Sequence, residues 1–260
     1  MKMAILLLIL ITSLQAVIRR DDVPDSEYIN FAKDPRFSCV GLVKGSIGSS
    51  TGTLIDPYTV LTVAHGVKTA REEVVFNIAN PLTGKIASIK GFIQIHEDYI
   101  YTYDDAKHVK EIHNDIALIH LASPVNFVTP ATLDYIDIQN KTSFVSAGFG
   151  KNGVGNSDTT YYDKEQRGFT NNISEFLSEE WCDNCYISYF DAPNTIECSP
   201  LEGVGAQGDS GAGVFRIKNN TFYLIGIIHL LAGKGAYGSY NLILPITPYM
   251  EWIEKNRLYN

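Results

Sequence analysis

Three short motifs of the chain contain the side chains that acyl transfer requires. They are Thr62-Val-Ala-His65-Gly, Asn114-Asp115-Ile-Ala-Leu and Gly208-Asp-Ser210-Gly-Ala-Gly. A serine hydroxyl is a poor nucleophile at neutral pH and needs an adjacent base. Imidazole suits this role because its ordinary pKa of about 6.5 lets it take up and return a proton near neutrality. A carboxylate bonded to the other ring nitrogen holds one tautomer. We therefore interpret Ser210, His65 and Asp115 as a catalytic triad.

Each motif alone is a weak signal. A single histidine is more often a surface or core residue than a catalyst, and Gly-Asp-Ser-Gly has the composition of an ordinary turn. Together the motifs supply every part of an acyl-transfer site. The glycines beside the serine let the backbone approach a substrate, so the amides of Gly208 and Ser210 are predicted to form the oxyanion hole. Loss of one such donor costs about 3–4 kcal/mol of transition-state stabilisation.

The elements that must position these motifs are predicted to be β-strands. Short runs rich in β-branched and aromatic residues alternate with clusters of glycine, asparagine and serine, which indicates an all-β sandwich or barrel. With 45% hydrophobic residues among 260, the chain can bury a sizeable core. Prolines bound the stretch 123–130, which is a predicted link between two halves. The spacing of apolar residues over 249–258 predicts a terminal amphipathic helix.

The order of the three motifs resembles the chymotrypsin/trypsin family of serine peptidases, as a secreted, bacterial-type or divergent member. Residues 50–55 look like the family's strand before the histidine. Residues 147–150 look like the segment that opens its second barrel, and 224–228 like the strand that borders its specificity pocket. The chain is therefore identified as a serine-type endopeptidase that cleaves peptide bonds through an acyl-enzyme.

The resemblance implies an all-β fold of two packed six-stranded antiparallel β-barrels with a C-terminal helix. It implies three segments: a signal peptide in 1–16, an N-terminal barrel with the histidine and aspartate in 17–125, and a C-terminal barrel with the serine and the terminal helix in 126–260.

The resemblance also implies a primary specificity pocket. Its floor falls at Val204 and its walls at Gly205, Leu231 and Gly238. None of these is acidic, so an apolar side chain is expected before the scissile bond rather than arginine or lysine, because a buried cation needs a partner. His229 stands where the family has a serine beside the catalytic aspartate. A one-residue bulge would instead turn His229 into the pocket, where it could pair with an acidic side chain.

A third implication concerns activation. In this family a new N-terminal ammonium pairs with the aspartate before the nucleophile, which is Asp209 here. The apolar pair that starts at Val17 follows directly on Ala16, the expected signal-peptidase site, so export itself is expected to activate the enzyme. The alternative is a second cut after Arg19 or Arg20, which would expose a polar terminus.

The N-terminal segment has the features of a secretory signal peptide. Lys2 supplies the positive end, and residues 4–11 form an unbroken apolar run. This run is much shorter than the roughly 20 residues that span a bilayer. The expected location is therefore extracellular or periplasmic, with an uncleaved N-terminal anchor as the alternative.

The charge balance narrows the expected partners. The formal net charge is −8, which disfavours nucleic acid and anionic membranes. The mature chain is expected to act on proteins or peptides as a monomer, away from the membrane and without a cofactor or metal. The histidines outside the triad and pocket are predicted to be surface or structural residues: His96, His108, His113 and His120.

Four cysteines allow one or two disulfides and three possible pairings. Cys182 and Cys185 form a C-x-x-C, but no second ligand pair for zinc follows, so a disulfide is predicted. The resemblance places Cys198 near the pocket, with Cys182 or Cys185 as its partner, and leaves Cys39 unassigned. It also puts Ser50 and Gly66, and Phe144 and Arg216, where the family has disulfides, while Ala206 removes one side of a third bridge.

Two other functions compete with a peptidase. The first is a catalytically weak or inactive binding protein on the same fold, although such relatives usually lose a triad residue and this chain keeps all three. The second is a secreted esterase with the same triad. The Ser210 motif lacks the G-x-S-x-G turn of such esterases, and the chain lacks their alternating helices, which disfavours this function.

Overall fold

The computed structural model describes residues 17–67, 69, 71–105, 108–157, 160–179 and 181–258. The predicted signal peptide lies outside the described residues. Among the described residues, no helix is long and apolar enough to cross a membrane.

The first half of the chain contains a closed six-stranded barrel. The elements of this half of the chain are β1 (Ile18–Arg19), α1 (Asp25–Ala32), β2 (Val40–Lys44), β3 (Ser49–Asp56), β4 (Thr59–Thr62), β5 (Glu73–Ala79), β6 (Ile86–Ile95), β7 (Ile100–Tyr103), β8 (Val109–His113) and β9 (Ala117–Leu121). The barrel order is β2-β3-β4-β9-β6-β5, with antiparallel neighbours. On β5, Val74, Phe76 and Ile78 are buried at every second position, as expected for a strand with one face on a core.

Among the described residues, the second half contributes eight strands to a ten-stranded sheet, which also contains β7 and β8 of the first half. Its elements are β10 (Thr132–Leu133), β11 (Ser143–Gly148), β12 (Gly153–Val154), β13 (Arg167–Asn172), β14 (Glu175–Glu179), β15 (Cys182–Tyr189), β16 (Gly203–Val204), β17 (Gly213–Lys218), β18 (Thr221–Ala232), β19 (Tyr240–Pro245) and α2 (Met250–Asn256). The order is β13-β11-β17-β18-β19-β15, followed by β8 and β7. The first and last strands of the run β13 to β15 also contact each other, because Asn171 Nδ2 on β13 donates to the carbonyl oxygen of Tyr189 on β15 at 2.8 Å.

These elements confirm the predicted all-β fold with its C-terminal helix. Helix α2 lies within the predicted tail and buries Trp252 and Ile253. The indole nitrogen of Trp252 donates to Glu97 at 2.8 Å, so the helix contacts the loop after β6 of the first barrel. The division of the chain near residue 125 remains a prediction.

The N-terminal segment packs on the second half of the chain, where β1 is the central strand of a separate three-stranded sheet, β12-β1-β16. Ile18 pairs with Gly153 on β12 and with Val204 on β16. Helix α1, which the sequence analysis did not predict, packs on β13. There the buried guanidinium of Arg167 makes two hydrogen bonds to Asp25, at 2.7 and 2.8 Å. This ion pair ties the N-terminal helix to the sheet that carries Ser210.

All four cysteines are unpaired, so the predicted disulfide is not present in the structure. Cys39, Cys182 and Cys185 are buried. Cys198 is half-buried, and its thiol lies 3.7 Å from the carbonyl oxygen of Ser199. The thiol of Cys185 instead faces the core, beside a buried histidine.

Candidate active site

Two adjacent strands bring the first two motifs together. Thr62 on β4 pairs with Ala117 on β9. His65 follows three residues after Thr62, and Asp115 precedes Ala117 by two. Because antiparallel partners leave the sheet at the same edge, both residues emerge at one end of the barrel.

His65 and Asp115 are held by two hydrogen bonds. The backbone amide of His65 donates to Asp115 Oδ1 at 2.7 Å, and His65 Nδ1 lies 2.6 Å from Asp115 Oδ2. Burial alone would raise the pKa of Asp115, but His65 and His229 lower it below its ordinary range. Burial alone would lower the pKa of His65, but the charge of Asp115 raises it. The imidazole is therefore oriented by an ionised carboxylate.

Ser210 opens onto the same cleft as His65. The cleft has a volume of about 720 Å³ and is lined by residues from both halves of the chain. Ser210 lies in the turn between β16 and β17, and its hydroxyl donates to the carbonyl oxygen of His229 at 3.5 Å. The carbonyl oxygen of Ser210 accepts from the amide of Thr51 at 2.9 Å, which ties the nucleophile turn to β3 of the barrel.

The backbone before Ser210 has the form of an anion site. Gly208 has a φ of +100°, and a Cβ there would lie 2.8 Å from Gly150 Cα, so only glycine fits. Its carbonyl oxygen accepts from the Thr51 hydroxyl at 2.7 Å, which fixes the following peptide plane. Among the described residues, neither the Gly208 amide nor the Ser210 amide is paired with an acceptor. Both amides are therefore available to a developing oxyanion.

Asp209 points away from the cleft and into the protein. It is fully buried and accepts hydrogen bonds from the amides of Gly150 at 2.9 Å, Ala206 at 3.0 Å and Val17. A Cβ on Gly148 would lie 2.0 Å from Asp209 Oδ1, so the carboxylate occupies the space of that missing side chain. Burial raises the pKa of Asp209 to about 7. The structure thus brings Val17 and Asp209 together.

The predicted pocket residues are distributed in three places. Gly205, Leu231 and His229 line the cleft. Val204 is fully buried in an apolar cluster beneath it. Gly238 lies in an exposed turn before β19, with a φ of +87°.

The side chain of His229 is directed to the aspartate rather than to the pocket. His229 sits at a register shift between β18 and β19, where the predicted bulge falls. Its side chain is fully buried, with Nε2 3.0 Å from Asp115 Oδ2. Behind it, Cys185 Sγ lies 3.6 Å from Nδ1. The sequence analysis missed Cys185, because nothing local links it to a residue 44 positions away.

A second missed feature is an aromatic wall beside His65. The rings of Tyr99, Tyr101 and Tyr103 follow one another in tilted contacts, and the Tyr101 ring centroid lies 6.0 Å from that of His65. Tyr101 and Tyr103 line the cleft. Their alternation along the chain was the available signal, since every second residue of a strand shares a face.

The other histidines each contact a side chain outside the candidate site. Contacts are made by His96 with the Trp252 ring, His108 with Asp104, His113 with Asp183 and His120 with Gln94. Within the described part of the chain, no group of three metal-ligating side chains is arranged to hold an ion.

Comparisons with known proteins identify a family. The sequence model of the Trypsin family matches residues 32–253, a range that contains His65, Asp115 and Ser210. Over 224 residues the chain is 28% identical to urokinase-type plasminogen activator of Gallus gallus, which covers 79% of this chain and 50% of that protein. The chain therefore spans about half the length of this relative.

Proposed function

The chain belongs to the trypsin family of serine peptidases, and from that premise we propose that it is a secreted endopeptidase acting through an acyl-enzyme. One observation carries the proposal. His65 Nδ1 lies 2.6 Å from the buried Asp115 carboxylate, in the cleft that also exposes the Ser210 hydroxyl. An oriented imidazole beside a serine is the arrangement that activates a hydroxyl for attack on a carbonyl.

The mechanism follows from the positions of these groups. When a peptide occupies the cleft, the Ser210 hydroxyl rotates from the His229 carbonyl toward His65, gives up its proton to Nε2 and attacks the scissile carbonyl carbon. The amides of Gly208 and Ser210 stabilise the oxyanion. His65 then gives its proton to the leaving amine, and it later activates the water that cleaves the acyl-enzyme. Asp115 keeps the imidazole in the Nδ1–H tautomer and stabilises its charged form.

A covalent serine probe tests this function directly. The purified mature protein should react with a fluorophosphonate, and Ser210→Ala should abolish both labelling and peptide hydrolysis. Ser143→Ala is the matched control, because Ser143 is an exposed serine on β11. It should label like the wild type. A folded wild-type protein that takes no label would favour the inactive binding protein instead.

The cleft favours an apolar residue before the scissile bond. None of the described residues that line it is acidic, and its charged members outside the triad are Lys151 and Lys234. A basic side chain would find no counter-charge there, and burying it unpaired is costly. Gly205, Leu230 and Leu231 supply an apolar surface. Peptides that differ only at this residue test the preference, and strong cleavage after arginine or lysine would refute it.

Activation by export is the second part of the proposal. Val17 is 1% exposed and its backbone nitrogen is hydrogen-bonded to Asp209. A cut after Ala16 would turn that nitrogen into an ammonium, which would stabilise a carboxylate whose pKa burial raises to about 7. N-terminal sequencing of the active secreted form should give Val17. Full activity in a form that starts at Asp21 would contradict this part alone.

A further inference from the structure

We propose that His229 is a positioning residue for catalysis, which holds the Asp115 carboxylate from a second side and is itself held by the thiol of Cys185. This inference rests on the proposed function, because it assigns His229 a role in the same triad.

Two imidazoles share one oxygen of the catalytic carboxylate. His65 Nδ1 lies 2.6 Å and His229 Nε2 lies 3.0 Å from Asp115 Oδ2. The two ring centroids are 6.4 Å apart, so the carboxylate lies between the rings. His229 Nε2 is buried and makes no hydrogen bond of standard geometry among the described residues, although Asp115 Oδ2 lies 3.0 Å away. The Asp115 carboxylate is therefore the acceptor within reach of this nitrogen, and the contact between them is electrostatic rather than a well-aligned hydrogen bond.

The other ring nitrogen of His229 faces a thiol. Cys185 Sγ lies 3.6 Å from Nδ1, and both side chains are fully buried. The neighbouring Cys182 thiol and burial raise the pKa of the Cys185 thiol well above its ordinary value, so it stays protonated. A thiol is a weak donor and a carboxylate is an acceptor. The Nε2–H tautomer of His229 suits both partners. In this tautomer Nδ1 can accept from the Cys185 thiol, while the Nε2–H faces the Asp115 carboxylate.

His229 also contacts the nucleophile through its backbone. Its carbonyl oxygen accepts from the Ser210 hydroxyl at 3.5 Å, while its side chain contacts Asp115. The next turn is tied to the same strand, since the Gly211 amide donates to Ile228 at 2.8 Å. One residue of β18 therefore links the carboxylate end of the triad to its serine end. Displacement of a reacting group by about 1 Å can cost about 100-fold in rate.

The first experiment separates the imidazole's polar contact from its volume. His229→Leu fills the space without a donor, whereas His229→Gln keeps an N–H near the position of Nε2. Turnover is expressed per site titrated with the fluorophosphonate, so that misfolded protein is not counted. We expect kcat of H229L to fall about 10- to 100-fold with KM changed less than about threefold, because the interaction orients catalytic groups rather than substrate. H229Q should recover most of the loss.

The second pair of variants tests the thiol. Cys185→Ser retains a hydroxyl donor toward Nδ1, and Cys185→Ala removes it. C185A should lose several-fold in kcat and C185S should lie closer to the wild type. Cys198→Ala changes a half-buried thiol that does not line the cleft, and it should match the wild type.

The inference would be overturned if H229L kept the wild-type kcat per titrated site. It would also be overturned if H229L and H229Q lost the same amount of activity. If H229L does not fold, a wild-type kcat in C185A would overturn it instead. Failure of the proposed function looks different, because the unmodified protein itself would then neither label nor cleave.

Discussion

Asp115 and Asp209 are two fully buried carboxylates of the candidate site, and they differ in what surrounds them. Asp115 has imidazole nitrogens at 2.6 and 3.0 Å, and its pKa lies below the ordinary range. Asp209 accepts only backbone amides among its described hydrogen-bond donors, and burial raises its pKa to about 7. The comparison indicates that amide donors alone do not offset the cost of burying a carboxylate in this protein, whereas neighbouring imidazoles do.

The difference assigns separate roles to the two groups. Asp115 is ionised and already paired, as an orienting group in a working site must be. Among the described residues, no cation is hydrogen-bonded to Asp209, and a buried carboxylate without such a partner is costly. The nucleophile turn is therefore expected to gain its final stability only when Val17 becomes a free terminus.

The largest expected effect is at Asp115. Asp115→Asn keeps the size of the side chain but presents an N–H₂ or neutral oxygen to His65, so the imidazole is held in the wrong tautomer. We expect kcat to fall about 10⁴-fold. Steady-state peptide hydrolysis measures this loss, with the exposed Asp137→Asn as the control. A loss of less than tenfold would mean that Asp115 does not orient the base.

The next largest expected effect is a pH-dependent loss of stability caused by Asp209 in a chain that retains Ala16. Its folded pKa of about 7 exceeds the unfolded value of about 3.9, so between these values the folded state binds more protons. Stability of this form should therefore fall as the pH rises from about 4 to about 7, by up to about 4 kcal/mol. A chain that starts at Val17 should not show this fall.

Urea unfolding of both chains at the two ends of this pH range measures the difference. Asp209→Asn in the longer chain is the control, because it removes the titrating group and should abolish the fall. If both chains respond equally to pH, Val17 does not pair with Asp209.

A smaller effect is expected at Gly148. Gly148→Ala places a Cβ 2.0 Å from Asp209 Oδ1, so the carboxylate or the strand must move. Overpacking of this kind costs about 1–3 kcal/mol, and the nucleophile turn should lose activity with it. The comparison variant is Gly45→Ala, where the nearest atom would be a Glu72 side-chain oxygen at the more permissive distance of 3.3 Å. Equal stability of the two variants in urea would show that Asp209 can move freely.

The smallest expected effect is a shift of the acidic limb of the pH–activity profile toward higher pH. His65 must be neutral to accept the serine proton, and the charge of Asp115 raises its pKa. Activity should therefore be lost as the pH falls through a midpoint above about 6.5, the ordinary value for histidine. The pH dependence of kcat/KM measures this midpoint. A midpoint clearly below that value would mean that burial outweighs Asp115.

Much of the fold was predictable from local patterns. Alternating β-branched residues and glycine-rich turns indicated the strands, and the apolar spacing of the tail indicated α2. Helix α1 was missed, although Pro24 precedes it and Asp25 and Glu27 lie in its first turn, which is a recognisable helix start. Its apolar face is short, because it packs on β13 through only part of its surface.

The sequence by itself determined which residues can perform the chemistry, since the types and order of His65, Asp115 and Ser210 are visible in three short motifs. Only the tertiary structure decided what surrounds them. The contact of Cys185 with His229, the direction of the His229 side chain and the burial of Val17 against Asp209 all join residues distant along the chain. A local pattern reports strand period and turn composition, whereas such contacts depend on strand register and on how the two halves pack.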